Sequence, residues 1–170
     1  MFEHWGEFYL LVGSAAAVLI GLLFVVVTLM SDKPRSTITA GSKLYMGPIV
    51  LRLSFLLVLS AAALVPNISA GQFAMATAIV GLWGVYRGVQ SFFGIRSVHW
   101  SEDPPHWTDQ WFYGIFPTII SLSMLEVAWA FWTGEPWAVH GIAAVITVSL
   151  LLAVRNEWDL VTWLTPMKAG

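Results

Sequence analysis

Apolar residues run along this chain in five long blocks, at residues 8–30, 44–65, 70–93, 111–133 and 137–154, with short polar stretches between them. A helix of about 20 apolar residues crosses the hydrocarbon core of a bilayer. The first block meets that length without a single charge. Pro66-Asn67-Ile68-Ser69 and Gly134-Glu135-Pro136 are tight-turn sequences between neighbouring blocks. Pro117 loosens or bends the start of the fourth block. The pattern predicts an all-α fold, a polytopic membrane bundle of five transmembrane helices in a single domain over residues 1–170. The tail, residues 155–170, mixes charge with Trp158 and Trp163. It reads either as a helix lying in the interface or as a continuation of the fifth span.

Small residues mark where helices can approach closely in lipid. Gly13, Ala17 and Gly21 fall four apart on the first block, and Gly84 and Gly88 do the same on the third. The first block is expected to be the packing helix against which the later ones assemble. The two smooth faces together predict a homo-oligomer. The two hairpins, second–third and fourth–fifth, each carry a charge in their first helix and an arginine near their exit, but share little residue by residue.

Composition sharpens the class. Hydrophobic residues make up 58% of the chain and charged ones only 11%, against about 25% charged in soluble domains. The mean hydropathy is +0.75. No cysteine is present, which excludes disulfides and thiolate metal sites. The acidic start, Glu3 to Glu7, lacks the positive charge of a cleavable signal, so the first helix is expected to be retained.

Charge also orients the chain. Lys33, Arg35 and Lys43 fall in the first connection, Arg96 in the third, Arg155 and Lys168 in the tail, and Arg52 and Arg87 in the matching halves of their spans. These are all eight lysines and arginines. The positive-inside rule then predicts the N-terminus out and the C-terminus in. Trp5, Phe8, Tyr9, Phe131, Trp132 and Trp137 mark the outer boundary. Tyr45, Trp100, Trp107, Trp111, Tyr113, Trp158 and Trp163 mark the inner one.

Polar residues inside the spans are the candidate chemistry. Arg52, Arg87, Glu126 and His140 are read as a polar interior or ion pathway. Glu126 lies about 13 Å below the outer turn at 1.5 Å per residue, and His140 begins the next helix. They could relay protons or simply tie the hairpin together. Arg52 and Glu126 differ in depth by about 9 Å on the same rise and are expected to pair. Arg52 and Arg87, near the cytoplasmic entrance, could hold a phosphate, a carboxylate or an anionic lipid head. His99, Glu102, Asp103, His106 and Asp109 crowd the longest polar loop, but their spacing fits no established ligand signature, so no metal is expected. No cofactor motif, nucleophile elbow or basic patch for nucleic acid is present.

Two stretches carry a resemblance. Phe8-Tyr9-Leu10-Leu11-Val12-Gly13-Ser14-Ala15-Ala16-Ala17, followed by Gly21-Leu22-Leu23-Phe24-Val25, is similar to the opening of small bacterial inner-membrane proteins without an assigned function. Arg155-Asn156-Glu157-Trp158-Asp159-Leu160-Val161-Thr162 is similar to that group as well. The resemblance implies a multi-pass protein of a bacterial inner membrane and assigns no catalytic residue. The favoured functional reading is a channel- or transporter-like protein moving a small ion or solute as an oligomer, with the lipid bilayer as its surroundings. The alternative is a non-catalytic assembly or scaffold subunit of a larger membrane complex. An enzyme ranks last, because no nucleophile–base pair is visible.

Overall fold

The computed structural model describes Phe2 and residues 4–29, 46–97 and 107–164. Its described residues form five main helices joined by turns, without strands: α1 (Gly6–Leu29), α2 (Gly47–Ala63), α3 (Ala70–Ser97), α4 (Phe116–Thr133) and α5 (Ala138–Leu164). A helical turn (Trp107–Asp109) and a π-helical segment (Gln110–Ile115) lead into α4.

Local chemistry sets the ends. Pro48 sits in the first turn of α2, where a missing N–H costs nothing. Asn67 takes the left-handed conformation in the turn after α2, with φ of 55°. Ser69 and Gln72 form a reciprocal capping box on α3: the Ser69 N–H donates to Gln72 Oε1 at 3.0 Å, and the Gln72 N–H to Ser69 Oγ at 3.1 Å. Gly134 closes α4 at φ of 77°, and the next amide, Glu135 N–H, bonds Ala130 O at 2.8 Å.

α5 runs unbroken to Leu164. Residues 155–164 therefore extend the fifth helix instead of forming a separate interfacial element. α3 likewise continues past the expected residue 93 to Ser97.

α3 and α4 form the most intimate pair. A methyl added at Gly84 would overlap Ser121 Oγ, one at Gly88 would overlap Thr118 Oγ1, and one at Gly81 would come within 2.7 Å of Leu125. These glycines are thus spent inside the chain, against α4. α1 is the peripheral helix, not the central one. It leans on α2, where a Cβ at Gly13 would sit 3.2 Å from Ser60, and it touches α5. Ala17 and Gly21 are exposed, as are Leu10, Leu11, Val18, Leu22 and Phe24. A helix apolar all round can face hydrocarbon on most sides.

α1 and α2 run antiparallel, since Gly6 meets Leu64 while Gly13 meets Ser60. One end of the bundle gathers an aromatic cluster. Phe2 packs edge-on against Tyr9 at 5.0 Å and Phe73 at 4.7 Å, and Phe73 against Phe131 at 5.1 Å. Leu53, Leu56 and Leu59 of α2, with Ile142 and Ile146 of α5, fill the middle. Among the described residues, three helical stretches are long and apolar enough to cross a membrane: Gly6–Thr28, Trp107–Thr133 and Ala138–Thr162.

Close packing makes a sharp contrast between glycines. Gly88→Val should lower stability by about 1–3 kcal/mol through overpacking, whereas Gly21→Val, with no atom within 4 Å of the added carbon, should leave it nearly unchanged. Unfolding midpoints of the two purified variants in the same detergent measure the difference. Equal midpoints would refute the seam.

Candidate functional site

The candidate site is a small cavity of about 40 Å³, partly open to the outside, between α2, α3 and α4, with Ser149 of α5 also in its lining. α2 contributes Pro48, Leu51, Arg52 and Phe55; α3 contributes Val80, Gly84, Arg87, Gly88 and Ser91. Pro117, Ile120, Ser121 and Met124 come from α4, and Tyr113 from the π-helical segment. Arg52 and Arg87 both line this space, and among the described residues no carboxylate does.

The two arginines are incompletely bonded. Arg52 Nη1 is buried without a hydrogen-bond partner among the described residues, and so is Arg87 Nε. The Arg87 Nη1 group donates to Gln90 Oε1 at 3.1 Å, and Gln90 Nε2 donates to Tyr86 Oη at 2.6 Å. That chain of contacts holds the outer edge of the Arg87 fork and leaves its Nε edge free. Ser121 turns its hydroxyl back onto Pro117 O at 2.8 Å, filling the space that the absent side chain of Gly84 leaves.

Arg155 shows the contrast. Its guanidinium lies 3.5 Å from the ring centroid of Phe112, donates to Asn156 Oδ1 at 3.3 Å, and stands 3.8 Å from Asp159 Oδ2. It is supplied with a π face, an acceptor and an opposite charge. Arg52 and Arg87 have no such set among the described residues.

The π-helical segment has a local cause. In an α-helix the donor to Phe112 O would be Phe116 N–H, and in a π-helix it would be residue 117. Phe116 N–H is turned to Trp111 O, and Pro117 has no N–H. The Phe112 carbonyl is thus left without a helical donor. Asn156 of α5 supplies one, Nδ2–H to O at 3.0 Å. The neighbouring Tyr113 hydroxyl donates toward Asn156 O at 3.1 Å and Asp159 Oδ2 at 3.3 Å. A cavity-lining residue is therefore fastened to the far end of α5.

Other expected site residues lie elsewhere. Glu126 is exposed on the same face of α4 as Ile119, Leu122 and Trp129, outside the cavity. It makes no ion pair with Arg52 among the described residues, where the one salt bridge is Arg155–Asp159. The expected Arg52–Glu126 pair is not formed because the two groups differ in rotation about their helices, whatever their depth. His140 is exposed and packs edge-on against the Trp5 ring at 5.3 Å; no hydrogen bond or ion pair joins it to Glu126 among the described residues. Of the loop residues weighed for metal binding, His99, Glu102, Asp103 and His106 lie outside the described residues. Asp109 is half-buried in the turn before the π-helical segment. Among the described residues no group of three or more His, Cys, Asp or Glu side chains could hold a metal ion.

Sequence reasoning overlooked Tyr113 and Asn156 as parts of a site. Tyr113 reads as one more boundary aromatic, and Asn156 as part of a polar tail. The available signal was Pro117, whose missing N–H demands a donor from somewhere. Neither a family model, nor a curated protein, nor a solved structure matches this chain.

Removing the Asn156 side chain strands the Phe112 carbonyl. Asn156→Ala should cost about 1–3 kcal/mol, the usual penalty for an unsatisfied buried acceptor. A double-mutant cycle with Tyr113→Phe and Asp159→Asn should show coupling, since the two share one hydrogen bond. Additive losses in detergent unfolding would argue against the bond.

Proposed function

We propose that this chain is a channel- or transporter-like protein of a bacterial inner membrane, carrying a small solute through the space between α2, α3 and α4. One observation supports this reading above the rest: a partly open cavity inside an apolar bundle that carries two guanidinium groups and several hydroxyls. Bundles held by packing alone have no use for arginines at such positions, because each is costly in lipid. The topology we propose has five crossings, N-terminus out and C-terminus in. The eight basic residues fall on one side of that arrangement, and the antiparallel order of α1 and α2 suits it.

A second reading, an assembly subunit of a larger complex, has Glu126 in its favour. A carboxylate on an exposed apolar face is poorly solvated in hydrocarbon, and a neighbouring chain would cover it. The exposed Ala17 and Gly21 would serve an oligomer in the same way.

Topology is open to a clean test because the chain has no cysteine of its own. Single cysteines at Asn67 and Glu135 should react with an impermeant thiol reagent from the periplasmic side, and one at Ser36 should not. Reaction at Ser36 from outside would remove a crossing.

Function is tested in proteoliposomes by stopped-flow light scattering, with potassium chloride, acetate, sulfate and phosphate and with glycerol. At least one of these should equilibrate faster than in protein-free vesicles, and Arg52→Met should change the selectivity. Vesicles indistinguishable from empty ones for every solute, with a protein larger than a monomer in detergent, would favour the assembly subunit.

A further inference from the structure

We propose that the cavity holding Arg52 and Arg87 is a binding site for a doubly charged tetrahedral oxyanion of the phosphate type. Its role as transported cargo rests on the conduit reading above; its binding does not. The first argument is charge. Arginine keeps its proton at neutral pH, so the cavity carries two positive charges, and none of its lining among the described residues is acidic. Removing an ion from water costs several kcal/mol per charge unless a counter-charge offsets it. Arg155 shows how this chain completes an arginine from within, using Asp159 and Phe112. Arg52 and Arg87 lack that completion among the described residues, and a dianion supplies it for both at once.

The second argument is geometry. The unpartnered atoms, Nη1 of Arg52 and Nε of Arg87, are both buried, and their two residues line one cavity from two helices. Guanidinium N–H groups match the edges of carboxylate, phosphate and sulfate, where two oxygens accept in parallel. A halide offers a single point, and a monocarboxylate leaves one positive charge over. A tetrahedral oxyanion presents separate oxygens to two guanidinium groups arriving from different helices. The tie from Gln90 fixes one edge of Arg87, so the free edge is presented in a set direction. The cavity is partly open and otherwise largely apolar, with Leu51, Phe55 and Met124 among its walls. Free phosphate can enter it, and so can the headgroup of a lipid whose acyl portion rests on that apolar wall. A terminal phosphate group with unesterified oxygens is common to both.

The test uses the full chain, purified in detergent and also placed in nanodiscs. Isothermal titration at constant ionic strength compares inorganic phosphate, sulfate, acetate and chloride. Nanodiscs of phosphatidylcholine, with and without phosphatidic acid, report a lipid source through the unfolding midpoint. Phosphate and sulfate should bind at least tenfold tighter than acetate or chloride. Arg52→Met and Arg87→Met should each weaken binding at least tenfold, Arg52→Lys should weaken it less, and Arg96→Met, which alters an exposed residue outside the cavity, should leave it unchanged. If either methionine variant fails to fold, Arg52→Lys and Arg87→Lys take its place. An unfolding midpoint raised only by phosphatidic acid, and not in the arginine variants, assigns the site to a lipid phosphate. No binding of any of these, equal binding of acetate, or binding indifferent to both arginines would overturn the proposal. Oxyanion binding without flux would sink the conduit reading alone. Flux of glycerol or chloride without oxyanion binding would sink this one alone.

Discussion

The close approach of α3 and α4 is the constraint on which the rest of the structure depends. In lipid there is no hydrophobic gain from bringing two apolar helices together, so van der Waals contact has to do it. Gly81, Gly84 and Gly88 let Leu125, Ser121 and Thr118 come against the α3 backbone. Once that seam is closed, the direction of α4 is set. Its other face then looks toward α2 and α5, and the cavity is what remains between them. The serine and threonine hydroxyls at the seam are bonded back to their own helix, Ser121 to Pro117 O and Thr118 to Gly114 O at 2.8 Å. They bring no unmet polar demand into the contact.

Polar groups inside the bundle sort into two kinds. At the end where α4 begins, every member of the Tyr113, Arg155, Asn156 and Asp159 group serves another. The low local dielectric strengthens the hydrogen bonds of such a network. The Arg52 and Arg87 pair is the opposite case, with buried donor atoms that no acceptor meets among the described residues. The same residue type is thus fully partnered in one part of the molecule and left incompletely bonded in another.

How much of this was legible in the sequence varies with the kind of information. The helices and their turns were readable from Pro66-Asn67, Gly134 and the apolar blocks, because those signals are local. Depth along a helix was readable too, since the rise per residue is constant. Rotation was not used well. Glu126 shares its stripe with Ile119, Leu122 and Trp129, all large and exposed, while Ser121, Met124 and Ala128 mark the inward side of α4. Reading that stripe would have separated Glu126 from Arg52. The small residues of α1 and α3 looked equivalent, yet only contact partners decide which helix a glycine serves, and those are non-local. The π-helical segment leaves no periodicity to recognise; its cause is a single absent hydrogen on Pro117.

Tyr113 has a mechanical consequence. It is part of the cavity wall, and its hydroxyl and the adjoining Phe112 carbonyl are held by side chains near the end of α5. These bonds join residues 43 to 46 positions apart in the chain. The position of the cavity wall at Tyr113 is thus tied to that of the last turns of α5, and neither shifts alone without breaking a buried hydrogen bond.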